Sequence, residues 1–180
     1  MTSFVALVRG INVGGKNLMS MADLAEAFSD AGHGDVRTHG QSGNVLFESG
    51  RRSGPALERA LEGALEDRFG MPLLVVVRSR AELAETVDAA PSDFGSDRYR
   101  SDCFFLKHPL TADDVLAELP ELKEGVDSIA GGRGVLYFSR VAKLATKTRI
   151  QRLFAMPVYQ QMTVRTWRVT TRLLELLDAR

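Results

Sequence analysis

The order of apolar segments in the first half of the chain restricts its fold most strongly. Residues 4–8 form a short run of strand formers, and Ser20 is a helix cap in front of residues that recur at helical spacing. Residues 35–47 read as two strands joined by a polar turn, and residues 57–69 carry apolar side chains at every fourth position. The continuous apolar run at 72–77 suits a buried central strand. Together these segments give a β-α-β-β-α-β order, which is typical of a split βαβ, or ferredoxin-like, unit.

The same order of elements recurs in the second half of the chain. The segments are a strand at 103–107, a helix that opens at Thr111, strands at 126–130 and 135–138, a helix at 147–154 and a strand at 162–165. We therefore predict an α+β fold with two ferredoxin-like (βαββαβ) units in tandem. Residues 1–90 form the first unit with a connecting helix, and residues 91–180 form the second unit with an extra C-terminal helix from Trp167 to Leu177. A single compact domain that contains both units is the alternative.

A long polar loop separates the first strand from the first helix. Residues 9–17 read Arg-Gly-Ile-Asn-Val-Gly-Gly-Lys-Asn. Most loops between a strand and a helix run roughly 2 to 6 residues, so this connection is unusually long. The spacing of Gly10, Gly15 and Lys16 fits the G-x-x-x-x-G-K pattern of a phosphate-binding loop. In such a loop, glycines let consecutive backbone N–H groups converge on an anion and lysine adds positive charge.

Two interpretations of this loop stay open. As an anion or phosphate site it would use six residues: Arg9, Asn12, Gly14, Gly15, Lys16 and Asn17. As a structural loop it would pack against the neighbouring unit, with Asn12 and Asn17 bonded to its own backbone. Nucleotide hydrolysis is disfavoured because Asn17 replaces the Ser or Thr that would hold Mg²⁺, and because the helix begins only near Ser20.

A second polar cluster joins the second and third strands. Gln41, Ser42 and Asn44 are candidate ligand-binding residues, and a simple hairpin turn made of good turn formers is the alternative. His39 could act as a base or a switch near neutral pH, although a surface histidine is the simpler interpretation. Because the first and third strands run antiparallel, we expect that the two loops need not lie at one end of the sheet. A shared site would then require residues from the second half.

The formal net charge of zero hides a strong segregation of charge along the sequence. Residues 128–174 contain nine cations and no Asp or Glu, which is a net charge of +9. Residues 81–127 contain twelve acids and four cations, which is a net charge of −8. Segregation of this size indicates either a positive face for an anionic partner or an acidic segment that docks on a basic one.

The only tryptophan lies between two arginines near the end of the chain. With Arg165 and Arg168 on either side, Trp167 could serve as a stacking platform for nucleic acid. Stacking of a base on an aromatic ring contributes about 1–3 kcal/mol to single-strand binding. The alternative is a core anchor at the start of a helix, with Thr166 as the cap.

Several classes of function find no support in the sequence. The single cysteine, Cys103, lies in a strand pattern and is interpreted as a buried, inert thiol, which also excludes an internal disulfide. His33 and His108 have no metal-ligand partners at a recognisable spacing, so we predict no metal and no cofactor. A Gly-x-Ser-x-Gly elbow is absent, and Ser42 near His39 has no evident orienting acid. No apolar run reaches the roughly 20 residues that a membrane span needs, and the N-terminus lacks a signal pattern, so we expect a cytoplasmic protein.

The motifs at both ends of the chain resemble those of one bacterial family. The Arg-Gly-Ile-Asn-Val-Gly-Gly-Lys-Asn segment at 9–17, the Gln-Ser-Gly-Asn-Val segment at 41–45 and the Thr-Val-Arg-Thr-Trp segment at 163–167 resemble motifs of the domain of unknown function 1697 family. Thr166 stands where that family usually has Asn. The resemblance implies two ferredoxin-like units in tandem and brings no established activity.

Three hypotheses for function follow from these observations. The first is a cytoplasmic binding protein for a phosphate-bearing partner, either nucleic acid or a nucleotide-like ligand, at the loop 9–17 and the basic C-terminal half. The second is a small-molecule enzyme that uses Lys16 in a phosphate or carboxylate cradle. The third is an interaction protein that forms a homo-oligomer through its basic stretch. The sequence does not decide whether the protein is an enzyme.

Overall fold

The computed structural model describes all 180 residues and contains two four-stranded antiparallel sheets. The strands are β1 (Thr2–Val8), β2 (Gly34–His39), β3 (Asn44–Ser49), β4 (Val75–Ser79), β5 (Tyr99–Leu106), β6 (Asp127–Gly132), β7 (Val135–Val141) and β8 (Met162–Thr166). The α-helices are α1 (Met21–Asp30), α2 (Pro55–Phe69), α3 (Arg80–Asp88), α4 (Ala112–Leu116), α5 (Ile150–Phe154) and α6 (Trp167–Asp178). Two 3₁₀ helices cover Ala142–Lys147 and Pro157–Gln161.

The two sheets have the same topology. The strand order is β2-β3-β1-β4 in the first sheet and β6-β7-β5-β8 in the second. In both units every neighbouring pair of strands is antiparallel, and the elements follow one another in β-α-β-β-α-β order. The fold class predicted from the sequence, two such units in tandem with an extra C-terminal helix, is therefore confirmed. No helix combines the length and the apolar composition that crossing a membrane requires.

Local sequence signals set many of the boundaries. Ser20 caps α1, since its side chain accepts a hydrogen bond from the backbone N–H of Asp23 at 2.9 Å. Gly70 ends α2 in the left-handed conformation, which glycine adopts without a steric penalty. These boundaries agree with the predicted ones because they depend on neighbours within one helical turn.

Several predicted elements differ from the observed ones; β5, for example, begins at Tyr99 rather than at residue 103. The apolar run at 72–77 yields a strand only from Val75, and β4 lies at the edge of its sheet rather than at the centre. Its three valines, at 75–77, suit this position because both faces of the edge strand are covered by the apolar interior. The helix predicted at 147–154 is α-helical only from Ile150. The hydroxyl of Thr148 donates to Asp127 at 2.5 Å and accepts from the backbone N–H of Ile150 at 3.1 Å, which delays the start of the helix.

Three apolar clusters form the interior. The first lies between the first sheet and helices α1 and α2, and the third lies between the second sheet and helices α4 and α5. The middle cluster is shared by both sheets together with α3 and α6. In β1, for example, Phe4 and Ala6 face the first cluster while Val5 and Leu7 face the middle one. Burial on both faces explains why β1 reads as an unbroken apolar run.

Candidate functional site

The two polar loops of the first unit meet at one end of the first sheet. Leu7 pairs with Asn44, and the backbone N–H of Val8 donates to the carbonyl oxygen of Gly43 at 2.9 Å. The side-chain amide of Asn12 donates to the carbonyl oxygen of Gln41 at 3.0 Å. The expectation that these loops need not share an end was wrong, because an antiparallel β3 begins beside the point where β1 ends. We call this region the loop end, defined as residues 9–19 and 40–44.

The paired glycines of the first loop form a tight turn. Gly14 and Gly15 have φ values of 58° and 73°, and the backbone N–H of Lys16 donates to the carbonyl oxygen of Val13 at 3.0 Å. Positive φ at both central positions is typical of a type I′ turn, which glycine favours. The side chain of Lys16 is exposed and lies in no ion pair. Lys16 precedes α1 and so lies outside the helix that a nucleoside-triphosphatase loop would open.

The two asparagines of the loop are bonded within the protein. Asn12 donates to the carbonyl oxygen of Met19 at 3.0 Å and accepts from the backbone N–H of Met19 at 2.8 Å. Asn17 donates to the carbonyl oxygen of Gly10 at 2.9 Å. Both asparagines have positive φ, of 54° and 49°, which asparagine tolerates better than most residues. These contacts support the structural interpretation of Asn12 and Asn17, which hold the loop in shape.

Arg9 connects the loop end to the second unit. Its guanidinium donates to the carbonyl oxygen of Met162 at 2.7 Å and also to that of Tyr159. Its central carbon lies 4.3 Å from the centroid of the Tyr159 ring, which is within the range of a cation–π contact. Arg9 therefore contributes to the packing of the second unit on the first.

Arg165 is buried at the loop end and has five acceptors within the protein. It donates to the side-chain oxygen of Asn44 at 2.6 Å, to the carbonyl oxygen of Val8 at 3.0 Å and to that of Ser42 at 2.9 Å. It also donates to the hydroxyl of Thr163 and the carbonyl oxygen of Val164. Burial lowers the pKa of Arg165 to about 10, so the side chain still carries its charge at neutral pH. A site shared by the two loops was expected to require residues from the second half of the chain, and Arg165 is such a residue.

Trp167 packs in the middle cluster. Its ring meets that of Phe94 edge to face, with centroids 5.1 Å apart and an interplanar angle of 84°. A Cβ atom added to Gly95 would lie only 2.0 Å from a carbon of the Trp167 ring, so the ring fills the space that Gly95 leaves. Thr166 caps α6 by accepting from the backbone N–H of Val169 at 3.3 Å. These contacts support the interpretation of Trp167 as a core anchor.

Arg168, by contrast, is exposed and lines a surface cleft of about 420 Å³. His39, at the end of β2, and Arg172, one turn further along α6, line the same cleft. Glu175 is its one carboxylate, and it lies 2.8 Å from Arg172. Arg168 lies in no ion pair. We call this feature the α6 cleft; the turn at 40–44 begins directly after His39, one of the residues that line it.

Much of the basic stretch is neutralised by the acidic stretch that precedes it. Four ion pairs join them: Arg133 to Glu85 at 3.3 Å, Arg140 to Asp102 at 3.0 Å, and Arg149 and Arg152 to Glu121 at 3.2 and 3.7 Å. Arg172 is paired within α6 and Arg165 is buried among neutral acceptors, so Lys143, Lys147 and Arg168 are the exposed cations of the stretch that have no carboxylate partner. Part of the segregation of charge therefore corresponds to ion pairs between the two stretches of the same chain.

Sequence reasoning missed a buried polar cluster between the two units. Glu58, on α2, is completely buried and accepts hydrogen bonds from the backbone N–H groups of Val77 and His108 at 3.0 and 3.1 Å. The Nδ1 atom of His108 lies 2.8 Å from Glu58 Oε1. A cavity of about 580 Å³ opens on the other side of His108. The one feature of the sequence that could indicate burial of Glu58 is its position next to Leu57, in the apolar stripe of α2. This position alone does not distinguish a buried glutamate from an exposed one.

The comparisons with known proteins concern the whole fold. The solved structure of the conserved bacterial protein SP0830 from Streptococcus pneumoniae superimposes with a TM-score of 0.84 at 26% sequence identity, over 98% of this chain and 98% of that one. No curated protein matches the sequence. The model of the family described as protein of unknown function (DUF1697) matches residues 1–137, which include both loops of the loop end. The chain therefore belongs to the DUF1697 family.

Proposed function

We propose that the protein binds a phosphate-bearing ligand at the α6 cleft, between His39 at the end of β2 and the first turns of α6. The observation that carries the proposal is the set of positive and neutral donors around this cleft. Arg168 and Arg172 contribute guanidinium groups, which suit phosphate because of their planar, bidentate geometry. His39 adds an imidazole, and the N-terminus of α6 favours negative charge nearby.

The arrangement of the loop end supports a preformed surface. Arg165 and Asn12 hold the turn at 41–44 from two sides, so that His39 is presented beside Arg168 without further rearrangement. In this proposal Arg165 and Asn12 position the site, while Arg168 supplies a positive charge that no carboxylate of the protein neutralises. Rigid positioning of the donors reduces the entropy lost when a ligand binds.

A small ligand is favoured over an extended nucleic acid. Five of the nine cations of the basic stretch are paired with acids of the same chain and Arg165 is buried, which leaves too few free charges for a long phosphate track. Nucleic acid stays a second candidate because Lys143, Lys147 and Arg168 are exposed and unpaired. We include a cytoplasmic location in the proposal, since phosphate-bearing metabolites and RNA are found there.

Fluorescence anisotropy with two probes tests the proposal. The probes are a fluorescent adenosine diphosphate analogue and a labelled single-stranded RNA, each titrated at several salt concentrations. We expect saturable binding of the nucleotide that Arg168→Ala weakens about tenfold, as the loss of a charge-assisted hydrogen bond implies. Lys143→Ala is the matched control, because Lys143 is also exposed and unpaired but lies outside the cleft.

The RNA titration separates the two candidates. For single strands the slope of log affinity against log salt is about −0.7 for each phosphate neutralised. A slope that corresponds to three or more phosphates would favour nucleic acid, and equal losses with Arg168→Ala and Lys143→Ala would point to diffuse charge. Absence of binding of both probes at low salt would contradict the proposed function.

A further inference from the structure

The cavity between the two units lies away from the α6 cleft and has a different chemical character. It has a volume of about 580 Å³ and opens between the start of α3, the segment 108–113 and the β6–β7 hairpin. Its walls therefore come from both units, and no residue that lines it belongs to the α6 cleft. A cavity of this size between packed units is a common position for a small-molecule site.

Glu58 sets the hydrogen-bonding state of His108. A carboxylate can only accept hydrogen bonds, and Glu58 has donors on both oxygens, from Val77 and from the backbone and ring of His108. The cations of Lys107 and Arg78 lie 3.9 Å from its oxygens. The proton of a neutral His108 ring therefore lies on Nδ1, which leaves Nε2 as an acceptor that faces the cavity.

Glu82 presents a second acceptor to the same space. Its Oε2 atom accepts from the hydroxyl of Ser53 at 2.6 Å and from the backbone N–H of Ser79 at 2.7 Å, while Oε1 has no hydrogen-bond partner in the protein. Burial opposes its charge, but the hydrogen bonds from Ser53 and Ser79 and the charge of Arg78 lower the pKa of Glu82 below its usual value. Oε1 lies 3.9 Å from His108 Nε2, too far for a direct hydrogen bond.

The charges around the cavity favour a cation. Arg78 donates hydrogen bonds to three carbonyl oxygens, those of Val77, Leu106 and Gly134, at 2.6–2.7 Å. Arg133 is paired with Glu85. Glu82 and Asp113 then stay as carboxylates without a paired lysine or arginine.

We propose that this cavity binds a small primary amine, whose ammonium group donates hydrogen bonds to His108 Nε2 and Glu82 Oε1. An ammonium group carries three donors and can satisfy two neighbouring acceptors that cannot bond to each other. A neutral hydroxyl compound of the same size would gain less, because it does not offset the charge of Glu82. This site is independent of the phosphate ligand proposed for the α6 cleft.

The three histidines of the chain allow both sites to be followed in one sample. In a protein labelled with ¹⁵N, the ring signals of His108 report on the cavity, those of His39 report on the α6 cleft, and His33 lies in neither. Propylamine is the probe, 1-propanol is the uncharged control, and His108→Gln assigns the signals. We expect propylamine to shift the His108 signals saturably without moving those of His39, while 1-propanol moves neither.

Glu82→Gln tests the second acceptor without loss of the helix start. Glutamine serves as well as glutamate at this position of a capping box, so α3 keeps its N-terminus. We expect the variant to bind propylamine about tenfold more weakly, since it loses a charge-assisted hydrogen bond. Glu118→Gln, at an exposed acid outside the cavity, is the matched control and should bind as the parent protein does.

Three results would overturn the proposal. They are the absence of a His108 shift with propylamine, an equal shift with 1-propanol, and ¹⁵N shifts showing that both ring nitrogens of His108 are protonated at mildly alkaline pH. In the last case His108 would be a cation held between Glu58 and Glu82, and the cavity would have no acceptor at Nε2. Because phosphate binding is followed at His39, failure at one site is distinguishable from failure at the other.

Discussion

The guanidinium Nε of Arg165 lies 2.6 Å from the side-chain oxygen of Asn44, 121 positions earlier in the chain. The same guanidinium donates to the carbonyl oxygens of Val8 and Ser42, so one side chain of the second unit bonds to the end of β1 and to the turn at 40–44 in the first unit. Asn44 in turn donates to the carbonyl oxygen of His39 at 3.0 Å. Through this chain of bonds the second unit fixes the shape of the surface that we propose as a ligand site.

Replacement of Arg165 by methionine is expected to lower the free energy of unfolding by about 3 kcal/mol, because buried acceptors at Val8, Ser42 and Asn44 would lose their donor. Arg168→Met is the matched control. Arg168 is exposed and unpaired, so its replacement should change stability by no more than about 0.5 kcal/mol. Urea denaturation measures both. Equal effects of the two replacements would contradict the role assigned to Arg165.

Gly95 is expected to tolerate no side chain because Trp167 occupies the space beside it. Its φ is 85° and an added Cβ would overlap the tryptophan ring, so Gly95→Ala should destabilise the protein by about 3 kcal/mol. Gly125 also has positive φ, 71°, but nothing lies within 4 Å of an added Cβ. Gly125→Ala should therefore cost only the backbone term of about 1 kcal/mol. Thermal unfolding of both variants separates steric overlap from backbone strain.

His33 is expected to make stability depend on pH in the weakly acidic range. Burial and the charge of Arg51 lower the pKa of His33 below 6.5, and its Nδ1 atom is buried without a hydrogen-bond partner. The unfolded chain then binds a proton more readily than the folded one, so stability is full above pH 6.5 and falls as the pH drops towards the folded-state pKa.

Urea denaturation at a series of pH values checks this expectation. His33→Phe should flatten the curve between neutral and weakly acidic pH, since the ring lies 4.9 Å from that of Phe47 and an apolar ring fits the same surroundings. His39→Gln serves as the control for loss of a histidine. An unchanged pH dependence in His33→Phe would show that another group is responsible.

Cys103 is expected to be unreactive in the folded protein. It is completely buried on β5, and burial raises the pKa of its thiol to about 12 from a usual value of 9.0, which lowers the thiolate fraction about a thousandfold. A colorimetric thiol reagent should react with one thiol per chain in denaturant and only through unfolding in buffer. Fast reaction of the native protein would place Cys103 in a more open environment than the one described here.

Much of the fold is predictable from the sequence because its elements depend on short-range patterns. The cap at Ser20, the stop at Gly70 and the spacing of leucines along α2 all act within one or two turns of chain. The apolar run at 72–77 is a limit of this approach. A run that is buried on both faces has the same composition at the edge of a sheet as at its centre, so composition alone does not give the position of β4.

The candidate site was predictable only in part. The loop at 9–17 and the turn at 41–44 stand out as polar segments, and the exposed Lys16 and Arg168 were among the residues named from sequence. Which of the predicted site residues are exposed and which are buried was not predictable. Arg165 and Arg168 belong to the same basic stretch, but the first faces the loop end from a strand and the second lies on the open side of a helix.

The sequence by itself determined the order of the elements, the caps of the helices and the positions of the glycines in the turns, because these features depend on neighbours in the chain. Only the tertiary structure decided which charges are free. Arg165 meets Asn44, Arg140 meets Asp102 and His108 meets Glu58 across 121, 38 and 50 positions. The partner of a buried polar group is set by packing between distant segments, and no local pattern in the sequence records it.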